Sequence, residues 1–226
     1  MTDPSLLTPH SSRPKGILFD LDGTLADTAP DLAHTLNRQR ELHGLPALPL
    51  ETIRPYASKG ARGMLQVGFN LFPTDVPYNS LREEYLELYE EFVVNSPALF
   101  AGITKLLSEL DTRAIRWAIC TNKPSRFTLR LVELLELSNA SAIVCGDAVV
   151  QPKPDPSMLT QACELMQLAP AECLYVGDDR RDCEAACAAG MPMIVAYWGY
   201  IGANEDPRTW GARALAETPD QLLNYL

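Results

Sequence analysis

Five short apolar runs, each followed by a loop and a helical pattern, constrain the fold of this 226-residue chain more than any other feature. Apolar, partly β-branched runs of this length that are separated by helices indicate the buried strands of a parallel sheet. We therefore predict an α/β fold with a doubly wound, Rossmann-like parallel sheet. The five runs are Gly16–Asp20, Ile115–Cys120, Ala142–Cys145, Cys173–Val176 and Pro192–Ala196.

The chain between the first run and a helix that starts near Ile103 has no strand-like alternation. Pro30 suits the first turn of a helix, and Thr28 is a possible cap for it. This stretch is too long for a crossover loop, so we predict an inserted all-α unit over residues 29–98. Its clearest helical stripe consists of Leu81, Tyr85, Leu88, Tyr89 and Phe92.

The remaining sequence is assigned to one core domain, which combines residues 15–28 with residues 99–226. Residues 1–14 lack the basic start and the apolar stretch of a signal peptide, so we expect a flexible polar leader. No apolar stretch is long enough to cross a membrane. The six cysteines form no CxxC pair, and we expect them to be reduced and structural in a cytoplasmic protein.

The formal net charge of −10 limits the possible partners. It argues against nucleic acid, whose recognition requires a basic patch or stripe. It also repels anionic substrates, unless a metal ion or Lys and Arg side chains reverse the local field. Any phosphate chemistry in this chain must therefore include that reversal.

The first run ends in the segment DLDGTLAD, residues 20–27. Open α/β sheets bind ligands at the carboxyl ends of their strands, and strand alternation brings Asp20 and Asp22 towards the same region. Gly23 permits a sharp turn. Two carboxylates this close repel each other unless a cation or a shared proton lies between them. A simple strand-ending turn is the alternative, whereas a calcium loop is excluded because Leu25 stands where that loop requires glycine.

Two later strand ends carry groups that suit a phosphate. Thr121 offers a hydroxyl next to an expected helix N-terminus, although an N-cap threonine is the alternative. Lys153 lies between Pro152 and Pro154, which restrict the backbone and fix the direction of the ammonium group. A surface lysine in a proline-rich loop is the alternative there.

The fourth run is followed by Asp178 and Asp179, and we expect Asp182 to begin an alanine-rich helix. Mg²⁺ prefers hard oxygen ligands and uses few carboxylates. Asp178 suits direct coordination of the metal ion. Asp182 or Asp179 would then contact the ligands without binding the metal ion directly. An acidic helix start that is favoured by the helix dipole is the alternative.

All four strand ends converge on one edge of the predicted sheet. The order of DLDGTLAD, Thr121, Lys153 and GDDRRD resembles the four motifs of the haloacid dehalogenase-like hydrolase superfamily, and the motifs span the whole predicted core. With a helical insertion after the first motif, the chain is similar to phosphoglycolate phosphatases in particular. The resemblance implies a Mg²⁺-dependent phosphatase whose small helical cap is formed by residues 29–98.

The resemblance also implies roles for individual residues. Asp20 is the nucleophile and Asp22 the general acid and base. The Asp20 carboxylate, the Asp22 backbone carbonyl and Asp178 hold Mg²⁺. Asp182 matches the last acid of the fourth motif, whereas Asp179 occupies a variable position. The substrate-binding groups are Thr121 and Lys153, which bind the phosphoryl group, with Gly23, Thr24 and Asn122 beside them.

Substrate choice is expected to lie in the cap. The stretch SKGARG, residues 58–63, joins cap helices, and its Lys59 or Arg62 could meet a carboxylate or hydroxyl of the leaving group. A solvated helix start is the alternative. Together with YWGYI (197–201), NEDP (204–207) and WGA (210–212), this stretch is similar to bacterial N-acetylmuramic acid 6-phosphate phosphatases.

We therefore expect hydrolysis of a small phosphorylated metabolite, either 2-phosphoglycolate or a related sugar phosphate, through an aspartyl-phosphate on Asp20. N-acetylmuramic acid 6-phosphate is the alternative substrate, and a phosphosugar mutase is a further alternative on the same scaffold. A haloacid dehalogenase fits less well, because Asp22 and Lys153 suit phosphate and magnesium chemistry. A non-enzymatic binding module is the remaining alternative, and the assembly is expected to be a monomer or a homodimer.

Overall fold

A parallel sheet of six strands forms the centre of the molecule. The computed structural model describes residues 13–92, 97–202 and 204–226. The predicted doubly wound α/β fold with inserted helices is confirmed. The strands of this sheet are β1 (Gly16–Phe19), β4 (Arg116–Thr121), β5 (Ala142–Cys145), β6 (Cys173–Gly177), β7 (Met193–Ala196) and β8 (Ala214–Ala216). They are arranged in the order β5-β4-β1-β6-β7-β8. A separate antiparallel pair joins β2 (Ala26–Asp27) to β3 (Ala98–Leu99).

The described helices fall into two groups. Those between β2 and β3, called the cap helices below, are α1 (Ala29–Leu42), α2 (Leu50–Ile53), α3 (Gly60–Phe69) and α4 (Tyr78–Phe92), and the 3-10 segment Arg54–Lys59 links α2 to α3. Those that pack on the sheet are α5 (Ile103–Thr112), α6 (Ser125–Leu134), α7 (Ser157–Met166) and α8 (Arg180–Ala188). Short 3-10 turns occupy Pro170–Glu172, Pro207–Thr209 and Pro219–Tyr225.

The sheet is buried on both faces, as the continuous apolar runs predict. Successive residues of a strand point to opposite faces. Ile17 and Phe19 accordingly belong to one apolar cluster, whereas Leu18 belongs to a second cluster on the other face. None of the three side chains is exposed. This burial fixes the register of β1 and therefore the position of the residue that follows it.

The cap helices pack closely on one another. A Cβ atom at Gly68 in α3 would lie 2.4 Å from Leu36 Cδ1 in α1, so a larger residue there would have to displace the Leu36 side chain. The Tyr85 hydroxyl in α4 donates to the Leu32 carbonyl in α1 (3.1 Å). Tyr85 and Tyr89 are both buried. Two residues of the predicted stripe are thus packed inside, whereas Leu81, Leu88 and Phe92 are half-buried.

Several local predictions differ from the structure. Strands β2, β3 and β8 are not predicted from the sequence. Thr28 occupies the N-cap position of α1 but makes no side-chain capping bond, because its hydroxyl donates to Asp22 instead. Strand β4 extends through Thr121 and α6 begins only at Ser125, so Thr121 does not open a helix.

The boundaries of the core at residues 15–28 and 99–226, and of the cap at 29–98, stay predictions. Residues 1–12 of the predicted leader lie outside the described residues, as do residues 93–96 near the end of the predicted cap. Within the described ranges, no helix is long and apolar enough to cross a bilayer. All six cysteines are free thiols, and only Cys187 is exposed.

Candidate active site

Asp20 lies directly beyond β1, at the carboxyl edge of the sheet. Its N–H donates to the Val176 carbonyl on β6 (2.9 Å), and its carboxylate accepts a hydrogen bond from the Leu21 N–H (2.8 Å). The register places Phe19 beside Ile119 of β4 and Val176 of β6. The residues that follow these three strands therefore lie together, as the sequence analysis predicts.

Lys153 reaches this edge from the loop after β5 and binds two carboxylates. Its Nζ lies 3.0 Å from Asp20 Oδ1 and 2.8 Å from Asp182 Oδ1, and it also donates to the Cys120 carbonyl and the Tyr175 hydroxyl. Burial lowers the pKa of Lys153, but Asp182 and Asp20 outweigh it and hold the pKa above its ordinary value. With 2% of its side chain exposed, Lys153 is not a surface lysine.

Three carboxylates meet beside this ammonium group. Asp20, Asp178 and Asp182 each bring an oxygen within 4.8 Å of the others. Burial raises the pKa of Asp20 to about 7, although Lys153 opposes the rise. Burial, together with Asp20 and Asp182, also raises the pKa of Asp178 well above its ordinary value. One ammonium group does not balance three buried carboxylates, so the charge and the hard oxygen ligands suit a divalent cation.

Asp178 is held in one orientation by donors from three segments. Its Oδ1 accepts a hydrogen bond from the Thr24 hydroxyl (3.1 Å). Its Oδ2 accepts hydrogen bonds from the Ser58 hydroxyl (2.7 Å) and the Tyr200 N–H (2.8 Å). A Cβ atom at Gly23, where φ is +85°, would lie 2.2 Å from Asp178 Oδ2. Gly23 therefore serves both the turn and this close approach.

Asp182 and Asp179 have different partners. Asp179 is the N-cap of α8 and Asp182 lies in its first turn, so the helix begins before the predicted start at Asp182. Asp182 Oδ2 accepts a hydrogen bond from the Asp179 N–H (3.0 Å), while its Oδ1 faces Lys153. The Asp179 carboxylate instead accepts two hydrogen bonds from the Arg181 guanidinium (2.8 and 3.0 Å). Of the two candidates, only Asp182 belongs to the carboxylate cluster.

Asp22 is bound by a lysine that the sequence analysis missed. Lys123 Nζ lies 3.0 and 3.3 Å from the two Asp22 oxygens and donates to the Tyr89 hydroxyl of α4 (2.9 Å). The side chains of Lys123 and Asp22 are 7% and 14% exposed. One cation thus links Asp22 to a cap helix. The available signal was the position of Lys123, two residues after Thr121 at a strand end.

Thr121 and Asn122 act differently on their neighbours. Thr121 is buried, and its Oγ1 accepts a hydrogen bond from the Lys123 N–H (3.2 Å). The Asn122 side chain brackets the Lys153 backbone, because its Oδ1 accepts from the N–H and its Nδ2 donates to the carbonyl, both at 2.9 Å. Asn122 therefore positions the Lys153 loop. Its substrate contact stays a prediction.

A cavity of about 240 Å³ lies between this edge and the cap helices. The cap helices and the 3-10 segment contribute three cations to its wall, the predicted Lys59 and Arg62 and the unpredicted Arg82. Lys59 ends the 3-10 segment and Arg62 lies in the first turn of α3. These cations supply the local positive charge that an acidic chain needs to admit an anion. The apolar part of the wall includes Leu32, Tyr85, Leu86, Tyr89 and Phe127.

Comparison with known proteins assigns the chain to a family. Residues 17–196 match the family described as haloacid dehalogenase-like hydrolase. The chain belongs to this family. The predicted membership, and with it the prediction of a hydrolytic enzyme, is confirmed.

Curated relatives of this hydrolase have two different names. It is 40% identical to a phosphoglycolate phosphatase of Xanthomonas campestris over 92% of the chain and 95% of the relative. It is 36% identical to an N-acetylmuramic acid 6-phosphate phosphatase of Pseudomonas aeruginosa over 95% of both chains. The relative of that name from Pseudomonas putida is 38% identical over 93% of the chain and 95% of the relative. The relatives with either name are thus phosphatases.

Solved structures share the fold of this hydrolase at low identity. A predicted phosphoglycolate phosphatase from Haemophilus somnus has a TM-score of 0.82 at 23% identity, over 95% of this chain and 98% of that one. CbbY from Rhodobacter sphaeroides, solved in complex with phosphate, has a TM-score of 0.73 at 23% identity, over 92% of this chain and 96% of that one. These similarities support the architecture, including the helices inserted after β2.

Proposed function

We propose that this hydrolase is a Mg²⁺-dependent phosphatase that cleaves a small phosphomonoester through an aspartyl-phosphate on Asp20. One observation carries the proposal. The Asp20 carboxylate directly follows a buried strand, lies 3.0 Å from a buried ammonium group, and faces a cavity whose wall includes cations of the cap helices. A nucleophilic carboxylate, a fixed cation and a site for an anion are therefore adjacent.

The carboxylate cluster supplies the ligands for the metal. Asp20, Asp178 and the backbone carbonyl of Asp22 are the proposed ligands, and Asp182 supports them through its bond to Lys153. When bound, Mg²⁺ neutralises negative charge so that a carboxylate can approach a phosphate. Asp179 is not among the proposed ligands, because its carboxylate pairs with Arg181.

The residues of the chain divide the reaction between them. An oxygen of Asp20 attacks phosphorus while the bond to the leaving oxygen breaks, and Asp22 gives that oxygen a proton. Asp22 then removes a proton from the water that cleaves the aspartyl-phosphate, which returns Asp20 and releases phosphate. Lys153 and Thr121 stabilise the charge on the transferred phosphoryl group.

The leaving group is the proposed source of specificity. Lys59 and Arg62 line the cavity and suit a carboxylate or hydroxyl of a small metabolite. The names of the curated relatives support two candidates, 2-phosphoglycolate and N-acetylmuramic acid 6-phosphate. Gly23, Thr24 and Asn122 are also proposed to bind substrate, in a site where Thr24 holds Asp178 and Asn122 holds the Lys153 backbone. A cytoplasmic location and a monomeric or homodimeric state complete the proposal.

A phosphate-release screen tests the proposed function. Purified protein is assayed with a panel of phosphomonoesters that includes both candidates and p-nitrophenyl phosphate, with Mg²⁺ and with EDTA. We expect release that depends on Mg²⁺ and favours one metabolite at least about ten-fold over the panel average. Release that is equal in EDTA would contradict the metal requirement, and equally weak turnover of all compounds would contradict a specific metabolite.

Replacing Lys123 tests the role of Asp22. Lys123→Met removes the cation that holds Asp22, so kcat/KM for 2-phosphoglycolate or another alkyl phosphate is expected to fall about 10- to 100-fold. The parameter kcat/KM reports phosphoryl transfer to Asp20. A nitrophenolate leaves without a proton, so the loss with p-nitrophenyl phosphate is expected to be much smaller.

Tyr89→Phe is the matched control, because it removes the other partner of Lys123 and leaves its ion pair with Asp22 in place. We expect less than about a three-fold change with either substrate. If Lys123→Met lowered kcat/KM equally for both leaving groups, Lys123 would act on the phosphate or the fold, and not through Asp22.

A further inference from the structure

The buried side chain of Tyr200, in the segment that follows β7, reaches the start of the first cap helix. Its hydroxyl accepts hydrogen bonds from the N–H groups of Thr28 (2.7 Å) and Ala29 (3.0 Å). The hydroxyl donates its own proton to Asp27 Oδ1 (2.8 Å). Since a hydroxyl offers one proton and two lone pairs, every hydrogen-bonding site of this group is used.

The start of α1 is therefore satisfied from outside the helix. A threonine at the N-cap ordinarily accepts a hydrogen bond from the second or third residue of its helix. The second residue of α1 is Pro30, which has no N–H, and Thr28 makes no side-chain capping bond. Because N–H groups that are buried without a partner are costly, Tyr200 provides what the local sequence does not.

The Thr28 hydroxyl has a different task, because it donates to Asp22 Oδ1. Thr28 is buried, and its β-branched side chain has few rotamers. The direction of its hydroxyl therefore depends on the position of its own backbone. Tyr200 holds that backbone through the Thr28 N–H. A chain of two hydrogen bonds thus runs from the Tyr200 hydroxyl through Thr28 to the Asp22 carboxylate.

The Tyr200 ring is itself held in place. The guanidinium of Arg54 lies over the ring, 5.5 Å from its centroid. Arg54 also donates to both oxygens of Asp27, at 2.9 and 3.1 Å, and Asp27 is the acceptor of the Tyr200 proton. On the opposite end of the residue, the Tyr200 N–H donates to Asp178 (2.8 Å). These contacts make Tyr200 a rigid support for the start of α1.

We propose that Tyr200 is a positioning residue for the reaction, and that its hydroxyl directs the Thr28 hydroxyl onto Asp22. This inference rests on the proposed phosphatase activity, in which Asp22 protonates the leaving oxygen. Tyr200 does not line the catalytic cavity, so it acts through Thr28 and not by contact with the substrate. Its loss should therefore weaken proton transfer to the leaving oxygen more than attack by Asp20.

The test compares two leaving groups in a double-mutant cycle. Tyr200→Phe is expected to lower kcat/KM about five- to ten-fold for 2-phosphoglycolate or another alkyl phosphate, and less than about three-fold for p-nitrophenyl phosphate, whose leaving group needs no proton. Thr28→Val should lower kcat/KM for the alkyl phosphate at least as much, whereas Thr28→Ser should keep the wild-type value. The double variant Tyr200→Phe, Thr28→Val should lose no more than Thr28→Val alone, because both changes interrupt one chain of contacts.

Hydrogen exchange tests the structural half of the inference without any substrate. The Thr28 and Ala29 amide hydrogens are expected to exchange faster in Tyr200→Phe than in the wild type. Tyr197→Phe is the matched control, since Tyr197 lies in the same segment and its side chain is exposed. It should change neither kcat/KM nor the exchange of these amides. Asp27→Ala, which removes the acceptor of the Tyr200 proton, replaces Tyr200→Phe if the latter does not fold.

Two results would overturn the inference while phosphatase activity stands. One is an equal loss for both leaving groups in Tyr200→Phe. The other is a double variant whose loss is the product of the two single losses, because Tyr200 would then act independently of Thr28. If the wild type hydrolysed no phosphomonoester, the proposed function would fail, and the role of Tyr200 in the reaction with it.

Discussion

Asp20→Asn is expected to reduce phosphate release from every phosphomonoester by about 10⁴-fold or more. An amide oxygen is a poor nucleophile, and loss of an attacking group typically has an effect of this size. The substitution nearly preserves the shape of a side chain that is 8% exposed. Phosphate release with saturating Mg²⁺ measures the loss. Thermal denaturation shows whether the variant is folded.

The same variant has a second expected effect, on the stability of the metal-free protein. The pKa of Asp20 is about 7 in the folded chain, against an ordinary value of 3.8. The folded state therefore binds this proton more tightly than the unfolded state, so stability falls as pH rises from about 4 to about 7. Asparagine does not titrate. We expect Asp20→Asn to raise Tm in EDTA at pH 8 and to change it little at pH 4.

Asp220→Asn is the control for this comparison, because Asp220 is an exposed aspartate that lies outside the catalytic cavity, and its ion pair with Lys105 is on the surface. It should affect neither activity nor the pH dependence of Tm. If a folded Asp20→Asn protein kept Mg²⁺-dependent activity, Asp20 would not be the nucleophile. A drop in Tm that was equal at both pH values would show that packing, and not charge, dominates at this position.

The meeting of Asp20, Thr121 and Asp178 could be predicted because it follows from topology, whereas Lys153 lies well beyond the end of β5 at Cys145 and reaches the same edge through a loop. Parallel strands end at one edge of a sheet, so residues directly after the strands are brought together whatever their distance in sequence. The apolar runs locate those ends to within a residue. The predicted sheet nevertheless lacked β8, because Ala214–Ala216 is a run of three residues without a β-branched side chain.

The contacts that cross between the cap helices and the sheet could not be predicted in this way. The Lys123 contact with Tyr89 and the Ser58 contact with Asp178 depend on how α4 and the 3-10 segment lie over the sheet. The hydrophobic periodicity of α4 and of the 3-10 segment does not specify how these segments lie over the sheet. Thr28 illustrates the same limit. Local sequence rules predict that its side chain caps a helix, but its hydroxyl donates a hydrogen bond to Asp22 instead.

Lys153→Met is expected to destabilise the metal-free protein by about 3–5 kcal/mol at pH 8, the cost of breaking a buried ion pair by removing one partner. Asp20 and Asp182 would lose the ammonium group that now lies 3.0 and 2.8 Å from their carboxylates. Methionine fills a similar volume, so the loss is chiefly electrostatic. Urea unfolding in EDTA measures it. Activity is expected to fall about 10³-fold with the phosphate-binding cation gone.

Two conditions separate charge from packing in Lys153→Met. At pH 5 Asp20 takes up a proton in the folded state, so the loss of stability should be smaller than at pH 8. Saturating Mg²⁺ at pH 8 should restore part of the stability, because a cation again neutralises the carboxylates, without restoring activity. Lys15→Met removes an exposed ion pair, with Lys15 65% exposed, and should change stability little. If the loss of stability in Lys153→Met did not depend on pH or on Mg²⁺, Lys153 would support the fold by packing. The charge balance proposed for this cluster would then be wrong.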